Sequence, residues 1–393
     1  MRWFFVFLIL GFSGVCALGE EAFRTWTDVA QRQVEGVLEG VEGTQVQLRL
    51  RDGQVVKVPM DGLSKQDQAW IRDWVKRSED GYQGPPAEED WPRIVRSPDL
   101  SIVEIISEDE EKNEFTYETK NYRFISDIQF STSLVREISE VFEATLLVNS
   151  LLPLDLRPIP EPGREKFVAR IFENESDFFQ AGGLEGSTGT YRSGEKELII
   201  PISSLGVKRY GNKVSMDYTM EDFRSLIHVI TLQNLNRWNS KLPVWLMHGA
   251  AEYLQVADYD NGRYAFSRQD DRLANKLNDH YESPFPMVSV HQLMTTTYGQ
   301  WNHALAQGEA SKYYVSALLL TYYFYHLDGE NEGEHIQAFF KDLKQMQPRG
   351  NSWGIVNEHL LRNKTFEELQ EEIVEAFRRK GIQIEFRGPI MIP

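Results

Sequence analysis

Cysteine is nearly absent from this sequence, because Cys16 is the only one and it lies close to the N-terminus. A chain with one thiol forms no internal disulfide and offers no thiolate cluster to a structural zinc ion. Positive charge is also scarce, with 42 Lys and Arg against 59 Asp and Glu and a formal net charge of −17. A surface with that charge repels phosphate, so we expect neither nucleic acid nor an anionic membrane as a partner.

The N-terminus has the pattern of a secretory signal peptide. Arg2 supplies a positive start, residues 4–12 are apolar, and small residues ending at Ala17 form a cleavage site. The apolar run is too short to cross a bilayer, so residues 1–17 are predicted to be removed and to leave no membrane span. We therefore expect export to the periplasm or the extracellular space. Acylation of Cys16 in a lipoprotein is the alternative, although the residues before it match a lipidation box poorly.

Short alternating runs separated by glycine turns predict a small antiparallel β domain at residues 22–77. The ordered motifs that it contains resemble the SLA-homology domain, at residues 24–28, 43–48, 52–53, 56–59, 63–64 and 67–71. That resemblance implies a small SH3-like β-barrel, a fold that binds short peptides in one eukaryotic adaptor. The tryptophans Trp26, Trp70 and Trp74 either pack the core of this domain or line a peptide groove.

The rest of the chain predicts a linker and a larger domain. Residues 78–99 are rich in proline, glycine and acidic side chains and have no periodicity, which indicates a linker. Residues 100–387 begin with alternating, strand-like runs and continue with long amphipathic and apolar helical patterns. The fold class is therefore α+β, with a mainly helical second domain that opens with a mixed sheet.

The stretch at residues 223–253 carries the most chemical information. It predicts two helices, with His228 on the first and the sequence Trp-Leu-Met-His-Gly-Ala-Ala-Glu-Tyr on the second. This stretch resembles the peptidase MA-like gluzincins, whose first helix carries His-Glu-x-x-His and whose second carries a glutamate ligand. Here His228 matches the first ligand, while Val229 occupies the position of the general base. Leu232 replaces the second histidine, and His248 replaces the ligand glutamate.

These replacements favour a pseudoenzyme, with no cofactor and with a role in binding a protein or peptide or as an envelope scaffold. A zinc-dependent hydrolase with a rearranged site of His228, His248 and Glu252 is the alternative, because two imidazoles and a carboxylate form a legitimate zinc set. His248 and Glu252 share a helix face at a spacing of four residues. A purely structural two-domain protein is the third interpretation.

Overall fold

The computed structural model describes residues 24–30, 32–42, 44–50, 54–68, 71, 90–97, 102–210, 213–216, 224–280, 283–346 and 352–387. The chain divides into two compact units, Met1–Gly81 and Tyr82–Pro393. The predicted signal peptide with Cys16, the turn at residues 52–53, and Trp70 and Trp74 lie outside the described residues.

The first unit contains a four-stranded antiparallel sheet. Its strands are β1 (Arg24–Thr27), β2 (Gln33–Glu42), β3 (Gln45–Leu50) and β4 (Val55–Pro59). Their order in space follows the chain, and a 3₁₀ turn at Met60–Gly62 and a helical turn at residues 65–68 come after them. β1 and β4 are both edges of this sheet, so the described strands form an open sheet in place of the closed barrel that the resemblance implies.

One buried tryptophan organises the core of the first unit. Trp26 is 1% exposed and packs in a cluster with five buried aliphatic residues, which are Leu38, Val46, Leu48, Leu63 and Ile71. Its indole nitrogen donates to the Gly36 carbonyl oxygen at 2.9 Å, so the one polar atom of the ring is satisfied inside the sheet. Trp26 therefore belongs to the core and is closed to a ligand.

The second unit opens with strands and carries further strands between its helices. They are β5 (Ile94–Arg96), β6 (Glu104–Asp109), β7 (Glu114–Glu118), β8 (Tyr122–Ser126), β9 (Phe167–Phe172), β10 (Thr190–Arg192), β11 (Glu197–Pro201), β12 (Val207–Tyr210), β13 (Lys213–Met216), β14 (Asp258–Asp260), β15 (Arg263–Ala265), β16 (Phe285–Val288) and β17 (Ile384–Arg387). The main sheet has six strands in the order β10-β11-β9-β8-β7-β6. It is mixed, because β9 runs parallel to both of its neighbours and the outer pairs are antiparallel.

The helices of the second unit follow the apolar patterns in the sequence. They are α1 (Thr132–Leu151), α2 (Glu175–Gln180), α3 (Arg224–Asn234), α4 (Val244–Val256), α5 (Gln269–His280), α6 (Val290–Thr295), α7 (Tyr298–Ala304), α8 (Ala310–Tyr322), α9 (Glu334–Gln345), α10 (Trp353–Val356) and α11 (Phe366–Arg379). Short π-helical segments at Leu305–Glu309, Tyr323–Leu327 and Asn357–Leu361 adjoin α8 and α10. The predicted α+β class is confirmed, as is a mainly helical second unit with a mixed sheet at its start.

Residues from the predicted linker take part in this second unit. β5 pairs with β15, which in turn pairs with β14, and the three form a small antiparallel sheet. Trp91, just before β5, packs its ring against Tyr325 and His326 at 4.8 Å between centroids. The last part of the segment at residues 78–99 is therefore ordered by contacts with the second unit.

The helix α4 lies at the centre of the second unit, packed against both α3 and α8. Almost all of its side chains are buried, which explains its apolar sequence on every face. The close approach to α8 depends on Gly249, because a Cβ at that position would overlap Thr321 Oγ1 and the Ala317 carbonyl oxygen. This packing fixes where α4 presents His248 and Glu252 to α3.

Candidate functional site

The two histidines and the glutamate that the sequence singled out meet between α3 and α4. His228 Nδ1 donates to Glu252 Oε1 at 2.9 Å, and His228 Nε2 lies 3.5 Å from His248 Nδ1. The His228 ring thus stands between the other two side chains and uses one nitrogen toward each. The three form a row in which the carboxylate orients the first imidazole and the first imidazole faces the second.

The carboxylate of Glu252 is surrounded by donors. Besides His228, Lys276 on α5 donates its ammonium group to Oε2 at 2.6 Å, and Gln255, with its amide turned so that the nitrogen faces the carboxylate, donates to Oε1 at 2.9 Å. Burial alone would raise the pKa of Glu252, but the hydrogen bond from His228 and the charges of His228 and Lys276 outweigh it and lower the pKa to about 2. Glu252 is therefore ionised and engaged at neutral pH.

His248 lies on the side of the site that faces Trp301. Its ring lies parallel to the indole of Trp301, with a centroid distance of 4.7 Å and an interplanar angle of 2°. Burial, helped by repulsion from His228, lowers the pKa of His248 to about 3, so this imidazole is neutral at physiological pH. A neutral imidazole is able to accept a hydrogen bond or bind a metal through its free nitrogen.

Tyr314 on α8 packs against the rings of both histidines. It contacts His228 edge-to-face and His248 at 71°, both at 5.4 Å between centroids. Burial raises the pKa of Tyr314, and the negative charge of Glu252 adds to that effect. The hydroxyl therefore stays protonated, and the ring acts as part of an aromatic wall with Trp301.

Aliphatic side chains occupy two positions at which the gluzincin resemblance implies a general base and a metal ligand. Val229 and Leu232 on α3 are both half-buried and pack against the hydrophobic core. A Cβ at Gly189, just before β10, would lie 3.4 Å from Val229, and Thr188 Oγ1 donates to the Ser225 carbonyl oxygen at 3.3 Å. The chain entering β10 therefore runs along the face of α3 that would carry the general base in a gluzincin.

The distances between the side chains of His228, His248 and Glu252 can be compared with those between the ligands of one zinc ion. Tetrahedral zinc with bonds of about 2.0–2.1 Å separates two nitrogen ligands by roughly 3.4 Å. The two facing histidine nitrogens, 3.5 Å apart, meet that spacing. Glu252 accepts a hydrogen bond from Nδ1 of His228, the ring nitrogen that faces away from His248. A carboxylate in this position orients a histidine ligand and does not itself bind the metal. As the side chains stand, the trio does not surround a single point.

A second cluster of metal-ligating side chains lies elsewhere in the helical part of this unit. Asp342 on α9 and the neighbouring residues Glu358 and His359 in the π-helical segment bring their donor atoms within 4.8 Å of one another. His359 Nε2 contacts Asp342 Oδ2 at 2.7 Å. These residues form a possible acidic and histidine-containing site that the sequence analysis did not find.

The partners of the first site also escaped the sequence analysis. Lys276 lies on an amphipathic helix whose pattern predicts only an exposed polar face, and Trp301 has no spacing that links it to His248. A buried carboxylate such as Glu252 needs a cation beside it, but the burial of Glu252, and with it the need for Lys276, is known only from the structure. Their roles depend on how α5 and α7 pack against α4.

No protein-family model matches the sequence, and no curated protein matches it. Among the residues that the structure describes, no helix combines the length and the apolar character needed to cross a membrane.

Proposed function

We propose that the chain is an exported bacterial protein whose second unit keeps a gluzincin-like frame, has lost hydrolysis, and binds a protein or peptide. The observation that carries the proposal is that His228 and Lys276 hold the carboxylate of Glu252, while the residue after His228 is the aliphatic Val229. Zinc-dependent hydrolysis needs an acceptor for the proton of the metal-bound water. Val229 has no acceptor atom, and both oxygens of Glu252 are held by donors.

The edge of the main sheet is the surface best suited to a peptide. β10 is an edge strand of that sheet, and an extended peptide adds to such an edge through main-chain hydrogen bonds. The strand lies against α3, where Val229 is half-buried, so a side chain of the peptide has an apolar contact beside the backbone. The first unit, with its resemblance to a peptide-binding module, would then act as a second binding unit or as a spacer.

The test compares the two edges of the same sheet. The mature chain and two variants, Val229→Arg beside β10 and Ile105→Arg on the opposite edge strand β6, are used to select and titrate short random peptides displayed on phage. We expect Val229→Arg to weaken binding of the selected peptides by about tenfold or more, as loss of an apolar anchor does. Ile105 is 50% exposed, so its variant should fold and bind like the parent.

Three results would count against the proposal. Equal weakening by both variants would remove β10 as the binding edge, and failure to select any peptide would favour a structural role. Cleavage of the selected peptides by the zinc-loaded chain, followed by mass spectrometry, would show that hydrolysis has been kept.

The 3.5 Å spacing of His228 and His248 favours a second candidate, a zinc-dependent hydrolase with a rearranged site. In that case zinc would lie between the two imidazoles, and Glu252 would orient His228 or leave it to become a ligand. Zinc stoichiometry of the untagged chain, with and without His228→Ala, tests this candidate. One equivalent of zinc lost in the variant would support it, and an unchanged stoichiometry would exclude this site.

A further inference from the structure

We infer that Asp342, Glu358 and His359 form a binding site for a divalent transition-metal ion, separate from the His228 site. The three side chains come from two helical segments, α9 and the π-helical segment Asn357–Leu361. Their donor atoms lie within 4.8 Å of one another, so small movements of the side chains would bring all three to bonds of about 2 Å around one ion. The inference does not depend on the proposed peptide-binding function.

The orientation of His359 suits a ligand. Its side chain is 18% exposed, and Nε2 points at Asp342 Oδ2, 2.7 Å away. A metal ion that binds both atoms takes the place of the direct contact between them, so the imidazole and the carboxylate need to separate only slightly. Partial burial fixes the ring, while the 44% exposure of Asp342 leaves a path for the ion from solvent.

The local charge also calls for a cation. Within the described part of the chain, no lysine or arginine forms an ion pair with Asp342 or Glu358, whereas Asp155, Glu252 and Asp328 of the same unit each have such a partner. Two carboxylates and a neutral imidazole carry a charge of −2, which a divalent ion neutralises. Lys344, on the same helix as Asp342, pairs with Asp155.

The donor set selects the class of metal. Imidazole with carboxylates suits zinc and its neighbours in the first transition series, whereas calcium and magnesium prefer oxygen ligands alone. Three protein ligands leave at least one coordination position for water. An ion at this place would tie α9 to the segment that leads into α11, so the first expected effect is on the stability of that helical corner.

The experiment measures zinc binding to the full mature chain, expressed without a histidine tag and stripped of metal. Isothermal titration with zinc chloride is carried out on the parent, on Asp342→Asn, on His359→Gln and on two controls, His228→Ala and the exposed His303→Gln. We expect one equivalent of zinc in the parent and in both controls, with affinity lowered about tenfold or more in Asp342→Asn and His359→Gln. Cobalt substitution adds an absorption band that should disappear in the same two variants.

Each other outcome overturns the inference. Zinc binding that is equal in all five chains, or absent from the parent, would leave His359 and Asp342 as a simple hydrogen-bonded pair. Loss of zinc in His228→Ala alone would place the metal in the first site and support the hydrolase candidate. Asp342→Asn keeps the shape of a half-exposed side chain, so circular dichroism should show that this variant folds even where His359→Gln does not.

Discussion

Two clusters in the helical unit bring histidines and carboxylates together, and they differ in depth and in partners. In the cluster of His228, His248 and Glu252, the carboxylate is 7% exposed and accepts hydrogen bonds from a lysine, an amide and an imidazole. In the cluster of Asp342 and His359, the carboxylate is 44% exposed and has the histidine as its described partner. The first is a closed polar network, and the second has a half-exposed carboxylate that an added ion can reach from solvent.

This difference shows that the cluster that resembles a known metal site is not the cluster whose side chains are free to bind a ligand. The first cluster was found through its likeness to a zinc peptidase, yet its donors already satisfy one another, so a ligand must displace existing bonds. The second cluster has no motif, but its donors have fewer competitors. Burial and the number of existing partners, more than residue type, decide which cluster is open to a ligand.

The largest expected effect is the loss of the buried charge at the first cluster. Glu252→Gln leaves Lys276 without its anion, and breaking a buried pair in this way costs about 3–5 kcal/mol of unfolding free energy. Urea unfolding followed by circular dichroism measures the loss. Glu367→Gln, on an exposed position of α11, is the control and should change the midpoint little. Equal midpoints for the two variants would contradict the closed network.

The packing of α4 against α8 is expected to be the next most sensitive feature. Gly249→Ala places a Cβ against Thr321 and the Ala317 carbonyl oxygen, and overpacking of this kind costs about 1–3 kcal/mol. Gly299→Ala is the matched control, since a Cβ there meets nothing within 4 Å. Thermal unfolding should show a clear loss for the first variant and no loss for the second. A Gly249→Ala chain as stable as the parent would mean that α4 and α8 can separate.

Acid should weaken the first cluster through His248. Its pKa is about 3 in the folded chain and 6.5 in the unfolded reference, so the unfolded chain binds more protons between these values. Stability is therefore present above pH 6.5 and is lost as the pH falls toward 3, by up to about 1.4 kcal/mol per pH unit. Glu252, with a pKa of about 2 against 4.5, adds loss in the same direction at lower pH.

The measurement for His248 is the urea midpoint at a series of pH values between 7 and about 5, where glutamate contributes little. His248→Gln should flatten this dependence, because the titrating group has been removed. His303→Gln removes an exposed histidine and should leave the slope of the parent unchanged. Identical slopes in all three chains would show that His248 is protonated as easily in the folded state as in the unfolded one.

The smallest effect is expected at the second cluster in the absence of metal. His359→Gln removes a contact with a half-exposed carboxylate, and such pairs contribute about 1 kcal/mol or less. Addition of zinc should stabilise the parent and not this variant, by an amount set by the ratio of zinc concentration to dissociation constant. If His359→Gln lowered the unfolding free energy of the metal-free chain by much more than about 1 kcal/mol, the second cluster would be a closed network like the first.

Parts of the fold were readable from the sequence because they depend on local periodicity. The apolar residues of the 20-residue helix α1 repeat with the helical period, and Thr365 caps α11 through a capping box with Glu368, so local sequence accounts for both helices. The open arrangement of β1 to β4 was not predictable in the same way. Closure of a barrel depends on strand tilt and register between distant edges, which a motif list does not specify.

The sequence by itself determined which polar side chains the α3 and α4 stretch contains and how they are spaced. The spacing of His248 and Glu252 on one helix, and the aliphatic residues at the positions where the resemblance implies a base and a ligand, follow from the chain order alone. Only the tertiary structure decided that Lys276 occupies the far side of the carboxylate and that Trp301 stacks on His248. It also brought Asp342 to Glu358 and His359, because contacts between separate helices depend on packing angles that no local pattern encodes.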